Sequence, residues 1–490
     1  MPSSAALAFS SLVPEARSWL ERLWSSIADR GEAYAKVPQA SASASPVDRT
    51  RQLAEALLSG RGEASGAAVA RELHACLRGL SPADRLEFYG FLATSFGPEP
   101  GALRAAAEAY LADPTSEHAA RLAEAAEPPR QELLRRMNTA PRGTAALVAM
   151  RKELLAHLRG RPELRPLDAD LKHLLSSWFN RGFLELRRID WQTPAVVLEK
   201  LIAYEAVHEI HGWDDLRRRL AADRRCFGFF HPALPDEPLI FVEVALTRGL
   251  ASAVQPLLCC KSAEDEMVRS HAETADTAIF YSISNCQEGL RNISFGNFLI
   301  KQVVEELKAE VPQVVHYSTL SPVPGFRPWM ERRLRAAQGP ERRESVVPEE
   351  EATSLQAVAG RLSGTVADAF QAILGTEAWW LDDTRAETVR GPLMRLCAEY
   401  LTRPNRGMGA IDPVARFHLG NGARLERINW LGNTSPRGLA ESCGMMVNYL
   451  YDPEMIEANH EAFARNGTVA RSREVDALLT TAPDLRIAGR

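Results

Sequence analysis

The chain has 490 residues, of which 46% are apolar and 25% are charged. This composition is that of a globular protein large enough for two or more domains, and it excludes a disordered or collagen-like chain. The 58 Lys and Arg residues against 63 Asp and Glu residues leave a net charge of −5. No overall positive field is therefore available to bind a nucleic-acid backbone, and any anionic ligand must be bound by a local group of residues.

The cysteines argue for a reducing compartment. All seven are scattered, and none are spaced as Cys-x-x-Cys, which disfavours both a disulfide framework and a structural zinc site. No apolar run reaches the roughly 20 residues that span a bilayer. The first thirty residues also carry acidic side chains, unlike a secretory leader or a transit peptide. We therefore expect a cytoplasmic protein with no membrane partner and no nucleic-acid partner.

The first part of the chain is expected to be helical. Residues 1–49 combine a short amphipathic stretch with a Ser/Ala-rich segment, which predicts a flexible lead-in. In residues 50–182, Ala, Leu, Glu and Arg recur at i, i+3 and i+4 between breaks at Gly and Pro, which predicts an all-helical domain. This region has four of the eleven histidines and one of the seven cysteines, so it offers few residues for chemistry.

Residues 183–490 have a different character, because short β-rich runs alternate with helical stretches. Such alternation predicts an α/β or α+β domain around a mixed sheet. A helical insertion is expected at residues 341–403. The expected strands are 226–231, 239–245, 278–284 and 313–319, with further sheet-like sequence at 415–430 and 444–449.

Residues 277–319 predict a strand, a Gly-containing loop, a helix and a second strand. The N–H groups at the start of the helix, near Gly296, would favour a phosphate or pyrophosphate. The loop from Arg291 to Gly296 resembles the R/Q-x-x-G-x-G/A turn with which acyl-CoA N-acetyltransferases bind the CoA pyrophosphate, although Ser294 replaces the first glycine. From the residues alone, Gly289 and Gly296 can equally serve a tight connection between strand and helix.

Two side chains are candidates for acid–base chemistry. Ser321 follows an expected strand and precedes Pro-Val-Pro-Gly, so its hydroxyl is expected in a fixed turn. His418 is expected near a strand end beside a Gly-Asn-Gly turn, where an imidazole can titrate close to neutral pH. Turn chemistry for the serine and core packing for the histidine remain open as alternatives. No Gly-x-Ser-x-Gly elbow supports an α/β-hydrolase.

One segment contains several side chains of the types that bind metals. It contains His208 and His211, followed by Asp214 and Asp215. The spacing is not that of an HExxH motif and no third ligand is marked, so we expect no metal. No Walker or Rossmann fingerprint is evident either.

Several blocks of sequence, in the same order, resemble the malonyl-CoA decarboxylase family. The similarity covers residues 168–451, whereas residues 1–50 lie outside it and the helical part up to about residue 165 matches by type more than by motif. The blocks are residues 177–184, 277–284, 320–326, 392–397, 417–423, 427–430 and 442–449.

The resemblance implies an α+β protein: a helical domain at residues 50–182 that forms a homo-oligomer, a dimer or tetramer, and an acetyltransferase-like catalytic domain at residues 183–490. It also implies the conversion of malonyl-CoA to acetyl-CoA and carbon dioxide without a metal or organic cofactor. The alternatives are an acyl-CoA N-acyltransferase and a non-catalytic acyl-CoA-binding protein.

The family's functional residues carry over by position. Its serine, the proton acceptor, falls on Ser321, and its histidine, the proton donor, falls on His418. The residues themselves leave open how the two roles divide between Ser321 and His418. Ser282 and Tyr451 match residues near the acyl end of the family's substrate. The CoA-binding loop falls on Arg291, Asn292, Ile293, Ser294, Phe295, Gly296 and Asn297.

Overall fold

The structure, a computed structural model, describes residues 19–35, 45–59, 62–259, 265–293, 299–336, 346–360, 364–405, 409–410 and 412–480. Contacts between residues divide the chain into two compact units. The first consists of residues 1–185, 229–240 and 285–296, and the second contains the remainder. The domain boundaries expected at residues 50 and 183 stay predictions.

The first unit is built from nine helices within the described residues. They are α1 (Trp19–Gly31), α2 (Pro46–Leu58), α3 (Glu63–Gly79), α4 (Pro82–Ser95), α5 (Pro100–Ala112), α6 (Ser116–Ala126), α7 (Pro129–Asn138), α8 (Gly143–His157) and α9 (Arg165–Trp178). Helix α3 packs against α1, α2 and α7.

Helices α2 and α4 begin in the same way, as the Ser-Pro breaks in the sequence predict. Ser45 and Ser81 each accept the backbone N–H three residues on, and a proline occupies the first helical position. Leucines at helical spacing, such as Leu73 and Leu133, are fully buried between the helices. Each contributes about 2 kcal/mol by leaving water, so the amphipathic pattern accounts for this core.

The chain after α9 alternates between strands and helices. Its elements are β1 (Glu185–Ile189), α10 (Ala195–Tyr204), α11 (Trp213–Arg219), β2 (Arg224–Phe230), β3 (Ile240–Thr247), α12 (Gln255–Leu258), α13 (Asp265–Glu273), β4 (Thr277–Asn285), α14 (Leu299–Glu310), β5 (His316–Thr319), β6 (Ser321–Pro322), α15 (Phe326–Ala336), α16 (Glu349–Val358), α17 (Val366–Leu374), α18 (Asp383–Thr402), β7 (Pro404–Asn405), β8 (Gly409–Ala410), α19 (Pro413–Gly420), β9 (Arg424–Asn429), α20 (Pro436–Ser442), β10 (Met446–Leu450), α21 (Ile456–Asn466) and α22 (Arg473–Thr480).

The main sheet has eight strands within the described residues. Its order is β1-β2-β3-β4-β5-β10-β6, and β9 also pairs with β10. Strands β4 and β5 are parallel, with Phe280 opposite Thr319, whereas β10 runs antiparallel to β5, β6 and β9. The sheet is therefore mixed, and the expected fold class, a helical region followed by a mixed-sheet domain, is confirmed.

Most of the expected elements are present. Strands β2, β3, β4 and β5 lie in the four expected runs, and α16, α17 and α18 account for most of the expected helical insertion. The expectation of sheet at residues 415–420 is wrong, because they belong to helix α19. Asp412 caps this helix and Pro413 occupies its first turn, and these local signals outweigh the β-like composition. Within the described residues, no helix has the length and hydropathy needed to cross a bilayer.

Candidate active site

Strand pairing and a helix cap place Ser321 and His418. Ser321 is the first residue of β6 and lies opposite Val447 in β10, so it belongs to a strand rather than to a turn. His418 lies in the last turn of α19, a helix rather than the expected sheet. Both residues are buried, with 5% and 3% of their surfaces exposed.

The two side chains are in direct contact, although 97 positions separate them in the sequence. The Ser321 Oγ lies 3.0 Å from the His418 Nε2, and the His418 Nδ1 lies 2.9 Å from the Tyr451 hydroxyl. Ser321 also donates a hydrogen bond of 2.9 Å to the Thr319 Oγ1. The ring of Tyr449 stacks on the imidazole at 4.7 Å. The structure thus joins Ser321, His418 and Tyr451 in one buried chain of polar groups.

Burial decides the charge of this group. It lowers the pKa of His418 to about 3, because a cation in a site closed to water loses its hydration. Burial also raises the pKa of Tyr451 well above its ordinary value. At neutral pH the imidazole and the phenol are therefore both uncharged.

Asp412 connects the turn that follows Ser321 to the helix that carries His418. Its Oδ1 accepts the N–H groups of Val414 and Ala415, which begins α19, and its Oδ2 accepts the Tyr400 hydroxyl at 3.1 Å. Gly325 ends the turn after β6, and a Cβ there would lie 2.2 Å from the Tyr400 hydroxyl. A side chain at position 325 would have to displace Tyr400, and this close approach accounts for the glycine. The Asp412–Tyr400 contact thus holds both the turn after Ser321 and the helix of His418.

A line of buried amides fixes the strands beneath the site. Asn448 in β10 donates to the Thr319 carbonyl oxygen at 2.7 Å, and its own Oδ1 accepts from Asn429 in β9 at 2.8 Å. Arg427 then donates to the Asn429 Oδ1 at 2.8 Å. Buried amides that are satisfied in this way specify one arrangement of the strands, because an unpaired one costs about 1–3 kcal/mol.

Ser282 contacts a buried carboxylate that the sequence did not predict. Its hydroxyl donates to both carboxylate oxygens of Glu205 at 2.8 Å, and the Ser284 hydroxyl lies 3.3 Å from the same oxygens. Burial raises the pKa of Glu205 above its ordinary value. Ser282 and Ser321 each lie two residues beyond the paired Phe280 and Thr319 of neighbouring strands. A role for Ser282 and Tyr451 at the acyl end of a substrate stays a prediction.

Sequence reasoning missed three contacts of this site. The position of Thr319, two residues before Ser321, could have marked it, because alternate residues of extended chain share a face. Glu205 lies just beyond helix α10, and its contact with Ser282 spans 77 positions. No local pattern could have indicated that contact, or the contact of Asp412 with Tyr400.

The described part of the expected CoA-binding loop is anchored on α8 within the first unit. Arg151, whose side chain is 1% exposed, donates to the carbonyl oxygens of Gly289 and Arg291 at 2.7 and 3.0 Å, and to Asp168 at 2.9 Å. A Cβ on Gly289 would lie 2.0 Å from the Val148 carbonyl oxygen. Close packing against α8 thus explains this glycine.

Three of the seven loop residues lie within the described chain. Arg291 and Asn292 are exposed and Ile293 is buried, and Asn292 has a left-handed φ of 63°. The exposed guanidinium group of Arg291 and the exposed side-chain amide of Asn292 suit an anion. The positions predicted at Ser294, Phe295, Gly296 and Asn297 lie outside the described residues, as does the start of the expected helix.

The segment considered for a metal is held in a network of its own. Asp215 pairs with Arg219 at 3.2 Å and also accepts the His211 N–H at 3.1 Å. Burial lowers the pKa of His208 to about 4. Across the described ranges, no group of three or more His, Cys, Asp or Glu side chains is arranged to hold a metal ion.

Known proteins resemble this chain over most of its length. Residues 182–488 match the model of the malonyl-CoA decarboxylase C-terminal domain, and residues 96–179 match that of the N-terminal domain. The chain is 40% identical to mitochondrial malonyl-CoA decarboxylase of Anser anser anser over 337 residues, which are 68% of this chain and 66% of the goose protein. It is 36% identical to the mouse (Mus musculus) protein of the same name over 416 residues, 82% of this chain and 83% of that protein.

Solved structures agree with the sequence relatives. The crystal structure of malonyl-CoA decarboxylase from Rhodopseudomonas palustris is 50% identical, with a TM-score of 0.78, and the match covers 88% of this chain and 99% of that one. The structure from Agrobacterium vitis is 49% identical, with a TM-score of 0.77 and the same coverage. The predicted enzyme class, a carboxy-lyase, is confirmed by these matches. The chain belongs to the malonyl-CoA decarboxylase family.

Proposed function

We propose that this protein decarboxylates malonyl-CoA to acetyl-CoA and carbon dioxide, that Ser321 and His418 carry out the reaction, and that no metal or organic cofactor takes part. The observation that supports the proposal most directly is the 3.0 Å contact between these two buried side chains in a member of this family.

The reaction needs alignment and a proton rather than a nucleophile. Loss of carbon dioxide leaves an enolate of the thioester, so the site must align the carboxylate, accommodate the developing oxyanion and protonate the carbon. In the proposed mechanism the Ser321 hydroxyl turns from Thr319 to the substrate carboxylate. This hydrogen bond sets the angle between the breaking C–C bond and the thioester plane. Because the products carry one proton more than the malonyl anion, a donor must lie nearby.

We propose that the charge of the substrate makes His418 that donor. The imidazole is neutral in the free protein because it is buried. A malonyl carboxylate beside Ser321 places a negative charge near the ring, and an opposite charge raises the pKa of a histidine. His418 then takes up a proton on its second nitrogen. When carbon dioxide has left, Ser321 passes its proton to the carbon and receives one from the His418 Nε2, and His418 returns to its neutral form.

The CoA end of the substrate is assigned to residues 291–297. Arg291 and Asn292 present exposed groups on the turn that Arg151 holds. Since the chain has a net charge of −5, the pyrophosphate must be bound by such local groups rather than by the field of the whole protein. The cytoplasmic location and the homo-oligomer formed through residues 50–182 also stay predictions.

The test of this proposal is the release of carbon dioxide and acetyl-CoA from malonyl-CoA by the full chain, dialysed against a chelator. The wild type is expected to keep its full rate after dialysis. Ser321→Ala and His418→Ala are each expected to lower kcat at least about 100-fold, the effect of losing a general acid–base group.

Two matched controls separate chemistry from folding. Ser318→Ala removes a buried hydroxyl of β5 that donates to the Tyr449 carbonyl oxygen, and His460→Gln removes a ring that contacts the Gly420 carbonyl oxygen. Both controls should decarboxylate at close to the wild-type rate. Full turnover by the Ser321 and His418 variants would overturn the site. Acetyl transfer from acetyl-CoA to an amine, with malonyl-CoA left intact, would overturn the reaction.

A further inference from the structure

The row of hydrogen bonds that joins Tyr451, His418 and Ser321 can run in two directions. In a neutral imidazole one nitrogen carries a proton and the other accepts one. Either Tyr451 donates to His418 and His418 donates to Ser321, or Ser321 donates to His418 and His418 donates to Tyr451. The distances of 2.9 and 3.0 Å on the two sides of the ring suit both directions. The residues at the two ends of this row, Thr319 and Tyr451, determine which direction is adopted.

Thr319 determines the direction of the hydrogen bonds on the Ser321 side. The angles of the 2.9 Å contact favour the Ser321 hydroxyl as the donor and the Thr319 Oγ1 as the acceptor. The same oxygen accepts the backbone N–H of Tyr449 at 3.2 Å, and Thr319 is fully buried. A hydroxyl has one proton. If Ser321 gives its proton to Thr319, Ser321 can only accept from His418, so the proton of the ring must be on Nε2.

Tyr451 determines the direction of the hydrogen bond on the Nδ1 side of the ring. Its side chain is 1% exposed, and among the described residues the contact recorded for its hydroxyl is with the His418 Nδ1. A buried phenol O–H that donates to nothing costs about 1–3 kcal/mol. Donation from Tyr451 to the Nδ1 avoids that cost, and it requires that the Nδ1 carry no proton. Thr319 and Tyr451 therefore favour the same tautomer of His418, the one with its proton on Nε2.

We infer that Thr319 and Tyr451 are positioning residues that polarise the site in one direction, from Tyr451 through His418 and Ser321 to Thr319. The inference rests on the site proposed above and assigns a role to Thr319 that the family pattern does not give it. In the free protein, Thr319 holds the proton of Ser321, and the substrate carboxylate must replace it as the acceptor. The His418 Nε2–H is already directed at the Ser321 oxygen, ready to return the proton that the carbon will take.

The direction can be measured on the free protein. The full chain is labelled with ¹⁵N at histidine, and the signals of His418 are identified by their loss in His418→Ala. The two ring nitrogens of a neutral imidazole differ strongly in ¹⁵N shift, so the spectrum shows which of them carries the proton. We expect the Nε2–H form of His418. The Nδ1–H form would overturn the inference.

Variants at both ends test what sets the direction. Thr319→Val keeps the shape but loses the acceptor, so the Ser321 proton is free to turn to His418. We expect the Nδ1–H form to appear and kcat to fall about 10-fold or more through misalignment, with a smaller change in KM. Thr319→Ser restores the hydroxyl and should restore both the tautomer and a rate within about threefold of the wild type, because the hydrogen bond returns.

A merely structural role for Thr319 would lower stability and leave the tautomer unchanged, and that result would overturn the inference. If Thr319→Val does not fold, the wild-type spectrum and Tyr451→Phe decide. That variant removes the donor to the Nδ1, so the ¹⁵N shift of this nitrogen should move, and an unmoved shift contradicts the inference. The measurement needs no substrate. An Nε2–H tautomer in a protein that releases no carbon dioxide would support the direction and reject the proposed function.

Discussion

The buried, neutral state of His418 predicts a specific loss of stability in acid. In the unfolded chain this imidazole has its ordinary pKa of 6.5, and burial lowers the pKa to about 3 in the folded protein. Between these two values the unfolded chain binds a proton that the folded protein does not. The contribution of His418 to stability is therefore complete above pH 6.5 and is lost as the pH falls towards 3.

The size of the effect follows from the same two values. At pH 5 the imidazole is protonated in the unfolded chain and neutral in the folded protein. The free energy of unfolding falls by about 1.4 kcal/mol for each pH unit below 6.5, so the loss at pH 5 is about 2 kcal/mol. His418→Gln has no group to titrate, so it should lose about 2 kcal/mol less than the wild type between pH 7 and pH 5. Tryptophan is present at nine positions, which allows urea unfolding to be followed by fluorescence.

The comparison uses the change between the two pH values and not the absolute stability of each variant. All the other titrating groups contribute to both proteins and cancel, as long as the unfolding transition stays the same. His173→Gln replaces an exposed histidine of α9 and should match the wild type at both pH values. If His418→Gln and the wild type lose the same free energy, His418 is not held neutral by burial, and the proposed uptake of a proton with the substrate fails with it.

Two further substitutions test the supports of the site. Asp412→Ala removes the cap of α19 and the acceptor of the Tyr400 hydroxyl, so we expect a loss of about 2–4 kcal/mol by urea unfolding; Asp412→Asn, which keeps one oxygen, should lose less, and equal losses would contradict this reading. Arg151→Met removes the donors to the Gly289 and Arg291 carbonyl oxygens, so we expect KM for malonyl-CoA to rise about 10-fold with kcat little changed. A fall in kcat at constant KM would place the effect of Arg151 elsewhere.

The sequence predicted elements better than contacts. Strand β4 and helix α18 follow from short-range patterns of apolar and β-branched residues, and both are present. The prediction of sheet at residues 415–420 was wrong because Phe417 and Leu419 flank His418, and this alternation is also typical of a strand. The actual signals were Asp412 and Pro413, which begin a helix.

The resemblance to the family predicted Ser321 and His418 as a pair, but not the side chains that surround them. Ser321 and His418 were selected from the blocks that resemble the family, but their contact closes over 97 positions, and no periodic pattern encodes a contact of that range. The contact of the Tyr451 hydroxyl with the His418 Nδ1 was not predicted, and the role of Tyr451 near the substrate stays a prediction. The direction of hydrogen bonding depends on which neighbour is left to accept a proton, and that is fixed by tertiary structure.

Burial makes the proposed proton donor depend on the substrate. In the free protein it keeps His418 uncharged, so the ring carries no strongly acidic proton while the site is empty. In the proposed mechanism the cation forms only when a malonyl carboxylate lies beside the ring, because an opposite charge raises the pKa of a histidine. That cation then gives up its proton as the enolate is protonated. The burial that costs the protein stability in acid therefore also ties the proton donor to the presence of the substrate.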